Sequence, residues 1–177
     1  PYEEVASLVQ QTAGIQTVIP QVSGTVALNI QDQRIATVLF GVDATSYLPA
    51  MSGIEVIAGR AYSSEETGIM LNTVAVDSIR EKTGVELHPG DSIQLISTNG
   101  TTFTIRAATL TGIYQYKVEN KTLDRIALVS PLILRDLLGM QDMSANIQEI
   151  DAEEMDLIET ELSFDDLFVD TEDIEAE

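Results

Sequence analysis

Short runs with a period of two, each closed by a turn residue, recur along this chain and force a sheet on whatever it folds into. In the run 24–30, Val26, Leu28 and Ile30 fall on one face, and the run Arg34-Ile-Ala-Thr-Val-Leu-Phe-Gly-Val-Asp43 follows after Gln31-Asp-Gln33. The pair reads as an antiparallel hairpin. Ile54, Val56 and Ala58 alternate with Glu55 and Ile57, the pattern of a strand with one buried face, and the run stops at Gly59-Arg60. Gly59 permits a sharp bend there, leaving Arg60 as a surface cation able to hold the neighbouring loop. Residues 68–72 make a further short strand. The runs 91–97 and 102–110 flank Asn99-Gly100, a dipeptide suited to a tight hairpin because both central residues of that turn need positive φ. Residues 111–118 and 125–129 add two more strands.

Helical segments separate these runs. Val5, Leu8, Val9 and Thr12 recur at helical spacing before Gly14, which predicts a helix over 2–13. A helical turn falls near 47–51, and residues 74–83 form a helix with Gly84 just past its end. Ser130 and Pro131 supply an N-cap and a first-turn proline for a helix over 132–138. The last segment reads as a βαβ unit followed by a helix: a strand at 146–150, a helix from Asp151 with Met155, Ile158 and Leu162 on its apolar stripe, a strand at 165–170 and a helix from about Glu172.

Charge is divided unevenly. Residues 1–140 carry 14 acids and 9 bases, whereas residues 141–177 carry 15 acids and no base, for a total of −20. Such a balance repels phosphate backbones and anionic headgroups and argues against nucleic acid or a lipid surface as direct partners. No window approaches the ~18 apolar residues of a membrane span, and no secretory leader is recognisable.

The residue types needed for chemistry are scarce. Cysteine is absent and His88 is the only histidine, in a turn leading into a strand, which leaves little material for a metal site or a catalytic triad. Glu65-Glu66, Glu153-Glu154 and Asp165-Asp166 are adjacent pairs whose side chains diverge rather than share a cleft. The glycines form no phosphate-binding loop, no serine sits in a nucleophile elbow, and no calcium-loop pattern is present. Neither cofactor nor metal is expected. Tyr114 and Tyr116 alternate on a strand and form a candidate partner surface, although strand packing is the commoner use of that spacing.

The order of several weak motifs is more specific than any one of them. Gly41-Val-Asp43, Tyr47-Leu48, the run from Gly53 through Ala58-Gly59-Arg60, Gly90-Asp91 before a hairpin, Phe103-Thr-Ile105 and Thr111-Gly-Ile113 together resemble the extracytoplasmic domain of the MacB-like, or FtsX-like, ABC transporter permeases. That family includes the lipoprotein-releasing permeases. The resemblance covers about residues 15–138.

It implies an α+β fold in which both chain ends, 1–52 and 131–177, build a porter-like layer, and 53–130 form a mostly β, Sabre-like insert. Gly59, Arg60, Gly90 and Asp91 become structural junction residues. The segment is then an excised ectodomain on the outer side of the cell membrane, in the periplasm or at the cell exterior, with both ends facing the parent permease's transmembrane helices. Its implied partners are a cytosolic ABC ATPase acting through the permease, a second permease copy or paralogue, and a periplasmic or extracellular carrier or adaptor. The expected role is non-catalytic mechanotransmission. The hook by which lipoprotein-releasing members meet their carrier is not identified in this sequence. The competing reading is a free-standing extracellular binding module with an acidic partner surface.

Overall fold

The hairpin expected over residues 24–43 forms, and its turn fixes the register. Strands β1 (Val22–Ile30) and β2 (Gln33–Gly41) pair antiparallel from Val22 opposite Gly41 to Ile30 opposite Gln33. Only Gln31 and Asp32 lie between them, with φ of 47° and 63°. This is the two-residue loop whose twist matches that of its strands.

The computed structural model describes residues 2–99, 102–118 and 120–140. The unit ending at Gln141 is followed by a second, Asp142–Glu177. The strands and helices expected at 146–177, and with them the relation of the two chain ends, lie outside the described residues.

In chain order the remaining elements are α1 (Tyr2–Gln10), α2 (Ala44–Ala50), β3 (Ile54–Gly59), β4 (Gly68–Asn72), α3 (Thr73–Thr83), β5 (Ser92–Asn99), β6 (Thr102–Tyr116), a 3-10 turn at Leu123–Arg125, β7 (Ile126–Val129) and α4 (Pro131–Leu137). Among the described residues no helix is long and apolar enough to cross a membrane.

Several expectations shift in detail. Helix α1 stops at Gln10, short of Gly14. Strand β6 is one element of 15 residues rather than two. Asn99 pairs with Thr102, so the loop between β5 and β6 is residues 100 and 101, one position on from Asn99-Gly100 and outside the described residues. Strand β3 has no fully buried face, because among the described residues it pairs only with β6, at the sheet's margin, and is bulged between Val56 and Ala58. Ser130 holds the N-cap position of α4, but its hydroxyl donates to the Ser64 carbonyl at 3.2 Å instead of capping.

The strands form one mixed sheet, in the order β3-β6-β4-β7-β2-β1-β5. Because β5 also pairs with β6, the six strands other than β3 close into a ring: β1 with β2, β2 with β7, β7 with β4, β4 with β6, β6 with β5 and β5 with β1. Closure removes the free edges that an open sheet would present. Leu28, Leu39, Leu71, Leu95, Leu110 and Val129, one from each ring strand, belong to a single buried cluster. Helix α4 packs against β1, β2, β5 and β6 and adds Ile133, Leu134 and Leu137 to that cluster, while Ile79 joins it from α3.

A second core lies on the opposite face of β4, β6 and β7. Met70, Tyr114, Ile126 and Leu128 meet Val42, Ala44 and Tyr47 from the α2 region and Tyr62 from the loop after β3. Strands β4 and β7 are therefore buried on both faces, which explains why Gly68-Ile-Met-Leu-Asn72 and Ile126-Ala-Leu-Val129 show continuous burial.

Asn72 joins the two halves of this arrangement. Its side chain is 1% exposed. Its Oδ1 accepts from the Ala75 N–H at 2.7 Å, capping α3, and its Nδ2 donates to the carbonyls of Asp124 and Ile126 at 2.8 and 2.9 Å. Tyr62 is the contrasting case. Its hydroxyl is buried without a hydrogen-bond partner among the described residues, and burial pushes its pKa well up.

These two buried polar groups predict opposite outcomes. Asn72→Ala orphans buried carbonyls and an α3 N–H, and should cost on the order of 2 kcal/mol or more in a urea melt. Tyr62→Phe removes a buried hydroxyl with no partner among the described residues, and should melt at the same or a higher temperature.

Candidate functional site

Three of the motifs that stood out in the sequence, Gly59-Arg60, Gly90-Asp91 and Thr111-Gly112, converge on the middle of β6. Up to Thr109 this strand pairs with β5, and from Gly112 onward it pairs with β3. Its pairing with β4 shifts register in between, with Leu110 opposite Ile69 and Gly112 opposite Met70, so that Thr111 is the extra residue of a bulge. The strand changes partners at that point.

Gly59 ends β3 against this bulge with φ of +72°. A Cβ placed on it would lie 2.1 Å from the Thr111 carbonyl oxygen, 2.9 Å from Gly112 Cα and 3.0 Å from Pro89 Cγ. No side chain fits. The Arg60 N–H donates to the same Thr111 carbonyl at 2.8 Å. Gly112 is similarly confined, since its Cβ would come within 2.8 Å of the Arg60 carbonyl oxygen.

Gly90 and Asp91 approach β6 from the other side. In His88-Pro89-Gly90-Asp91 the Asp91 N–H donates back to the His88 carbonyl at 3.1 Å, and Gly90 takes φ of +108°. Proline followed by a positive-φ glycine is the chemistry of a type II turn. The Asp91 carboxylate accepts from the His88 N–H at 2.7 Å and tightens the turn. Gly90 N–H then donates to Leu110 O at 2.7 Å, and Leu110 N–H to Asp91 O at 2.8 Å. Gly59, Arg60, Gly90 and Asp91 all lie in one knot around Leu110–Gly112, the first two against Thr111 and Gly112 and the last two bonded to Leu110.

Arg60 holds the loop after β3. Its guanidinium donates to Glu66 through Nη1 at 3.0 Å and Nη2 at 2.6 Å, and Nη1 also donates to the Ala61 carbonyl at 2.9 Å. Glu66 Oε1 in turn accepts from the Ser63 N–H at 3.2 Å. This ring of contacts closes residues 60–66 over Tyr62. The Arg60 hydrogen bonds hold the Glu66 carboxyl down at about 2.

The tyrosine pair divides. Tyr114 is fully buried, its hydroxyl donating to the Ile126 carbonyl at 2.8 Å, and burial raises its pKa. A partner surface at Tyr114 is thereby corrected to core packing. Tyr116 stacks edge-on against it at 5.4 Å and stays half-buried, lining a pocket of about 470 Å³ beside Gln115 and Lys121. His88 is exposed, 3.9 Å from Glu86. No three His, Asp or Glu side chains gather to hold a metal among the described residues.

The fold is similar to that of two solved outward-facing transporter domains. The chain is similar to the extracellular domain of the noncanonic ABC-type transporter YknZ from Gram-positive bacteria, with a TM-score of 0.55 and 14% identity over 77% of this chain and 66% of that one. It is equally similar to the periplasmic region of MacB from Actinobacillus actinomycetemcomitans, with a TM-score of 0.55 and 13% identity over 89% of this chain and 72% of that region. The chain therefore spans just under two thirds of the length of the YknZ domain. No family model matches the sequence, and no curated protein does.

Two measurements probe the knot. Gly59→Ala must move backbone at Thr111 as well as hold a residue at positive φ, and should cost about 2 kcal/mol or more in a chemical melt. Arg60→Ala, at an exposed ion pair, should produce a much smaller shift. Because the Glu66 carboxyl is depressed from 4.5 to about 2 in the fold, its pairing stabilises above pH 4.5 and is lost as pH falls through about 2. The melting difference between wild type and Glu66→Gln should close over that window.

Proposed function

We propose that the chain is the non-catalytic extracytoplasmic domain of an ABC transporter permease. In this role it passes conformational work from a cytosolic ATPase to a substrate or partner outside the membrane. The observation that supports this reading is the likeness of its fold to the outward-facing regions of YknZ and MacB across 77% and 89% of the chain. Three of the sequence motifs that resemble the same family, Gly59-Arg60, Gly90-Asp91 and Thr111-Gly112, also meet in the β6 knot. A rigid closed ring with α4 packed into its core is suited to move as a body, and two-state levers of this kind work by shape change rather than by chemistry at a site.

On this reading the domain sits on the outer side of the cell membrane, with the parent's transmembrane helices below it and a second permease copy or paralogue beside it. A carrier or adaptor outside the membrane is the receiving partner. The porter-like part (1–52 and 131–177) and the Sabre-like part (53–130) belong to the same proposal. The described strands of both parts share one sheet, so the division runs across the ring rather than between separate sheets.

The chain has no cysteine, so one placed at exposed Glu55 on β3 is the single labelling site of this domain, and any cysteine elsewhere in the parent is replaced by serine. With the parent permease and its ATPase in proteoliposomes, the spin-label distance between two copies of the domain should change on addition of ATP. An unchanged distance while ATP is being hydrolysed would sink the reading. The isolated chain should give a flat calorimetric titration with magnesium and ATP, and micromolar binding would refute the non-catalytic assignment.

A further inference from the structure

The few cations of this acidic chain are not scattered. Of nine Lys and Arg, Arg60, Arg80 and Arg106 are paired with Glu66, Asp77 and Asp136, and Lys117 donates to the Ser52 carbonyl at 2.9 Å. Arg34, Lys82, Lys121 and Arg125 make no ion pair and no side-chain hydrogen bond among the described residues. All four line one groove.

The groove measures about 810 Å³ and runs between residues 33–37 of β2, the exposed side of α3 and the turn at 121–125. Its lining includes buried Leu28 and Ile79, with Ile35 and Val74 beside them. Asp124 is the one carboxylate in the lining, and Asp32 and Glu81, though next to it in sequence, are not part of it. Four cations face one acid over an apolar floor.

We propose that this groove binds an acidic peptide segment of a partner protein, one that alternates carboxylate and apolar side chains. The carboxylates meet Arg34, Lys82, Lys121 and Arg125, with the arginines able to engage them bidentately. The intervening apolar side chains lie on Ile35, Val74 and the floor. The pocket beside Tyr116 shares Val74, Lys121 and Asp124 with the groove, so the same segment can run on to the Tyr116 ring. A flexible strand enters a concave groove, whereas a bilayer or a duplex must bring a broad anionic surface against a chain of charge −20. The proposal rests on charge and shape alone and holds whether or not the parent is a permease.

A fluorescein-labelled peptide of alternating glutamate and leucine, titrated into the 177-residue chain at low salt, tests it by anisotropy. The peptide should bind, and its glutamine-leucine analogue should not. Arg34→Gln combined with Lys121→Gln should weaken binding about tenfold or more, as should raising salt from about 0.05 M to about 0.5 M. Arg80→Gln, outside the groove, should leave the affinity unchanged. The melt of the Arg34→Gln, Lys121→Gln variant should match wild type, because these two cations make no ion pair or side-chain hydrogen bond among the described residues. Equal affinity in the double variant, or equal binding of the glutamine peptide, overturns the proposal. Retention on phosphatidylglycerol vesicles with no binding of the peptide also overturns it, in favour of a lipid headgroup.

Discussion

The Thr111 carbonyl is the point on which the sheet depends. It accepts the Arg60 N–H at 2.8 Å, and it stands where a side chain on Gly59 would have to go. One extra residue in β6 at this position lets a single strand serve β5 along its first half and β3 along its second, while β4 pairs across the join. Without that handover β6 could not both close the ring through β5 and carry β3 on its outer flank. The glycines at 59 and 112 are consequences of how closely three backbones approach there.

From this closure follow the two cores. The inward residues of the ring, such as Leu28, Leu95 and Leu110, pack on one another and on α4, while alternate residues of β4, β6 and β7 turn outward beneath Tyr47 and Tyr62. Strands buried on both sides leave few places for polar groups. Those present are either fully satisfied, as at Asn72, or left without a partner, as at the Tyr62 hydroxyl. The Arg60 to Glu66 clasp keeps Tyr62 under its loop from the solvent side, where screening makes the pair a positioning device more than a source of stability.

Much of the fold was legible because local rules decide it. Glycine at a strand end, Pro-Gly in a turn and an alternating β-branched run each have a local cause, and Gly59, Gly90 and the β1–β2 hairpin were found for that reason. The knot itself was not legible. It joins residues 59, 89 and 111, and spacing along a chain carries no information on which distant segments meet. Tyr114 and Tyr116 share a face, yet one is sealed beneath Ile126 and the other lies near the end of the strand, a difference in depth that alternation cannot express. The cationic groove was hidden for another reason. Net charge averages over the molecule, whereas Arg34, Lys82 and the Lys121–Arg125 turn are far apart in sequence and adjacent only in the fold.

The ring and its lone outer strand also differ in how they meet a mechanical load. A tug on any ring strand is resisted by hydrogen bonds on both of its flanks. Among the described residues strand β3 is bonded on one flank only, to the last residues of β6, and its Val56 and Ile57 are exposed. It can come away one bond at a time, like a zip, with the ring left intact behind it. The bend at Gly59 sits at the root of that zip, where the Arg60 N–H bond to the Thr111 carbonyl ties the end of the strand to the ring.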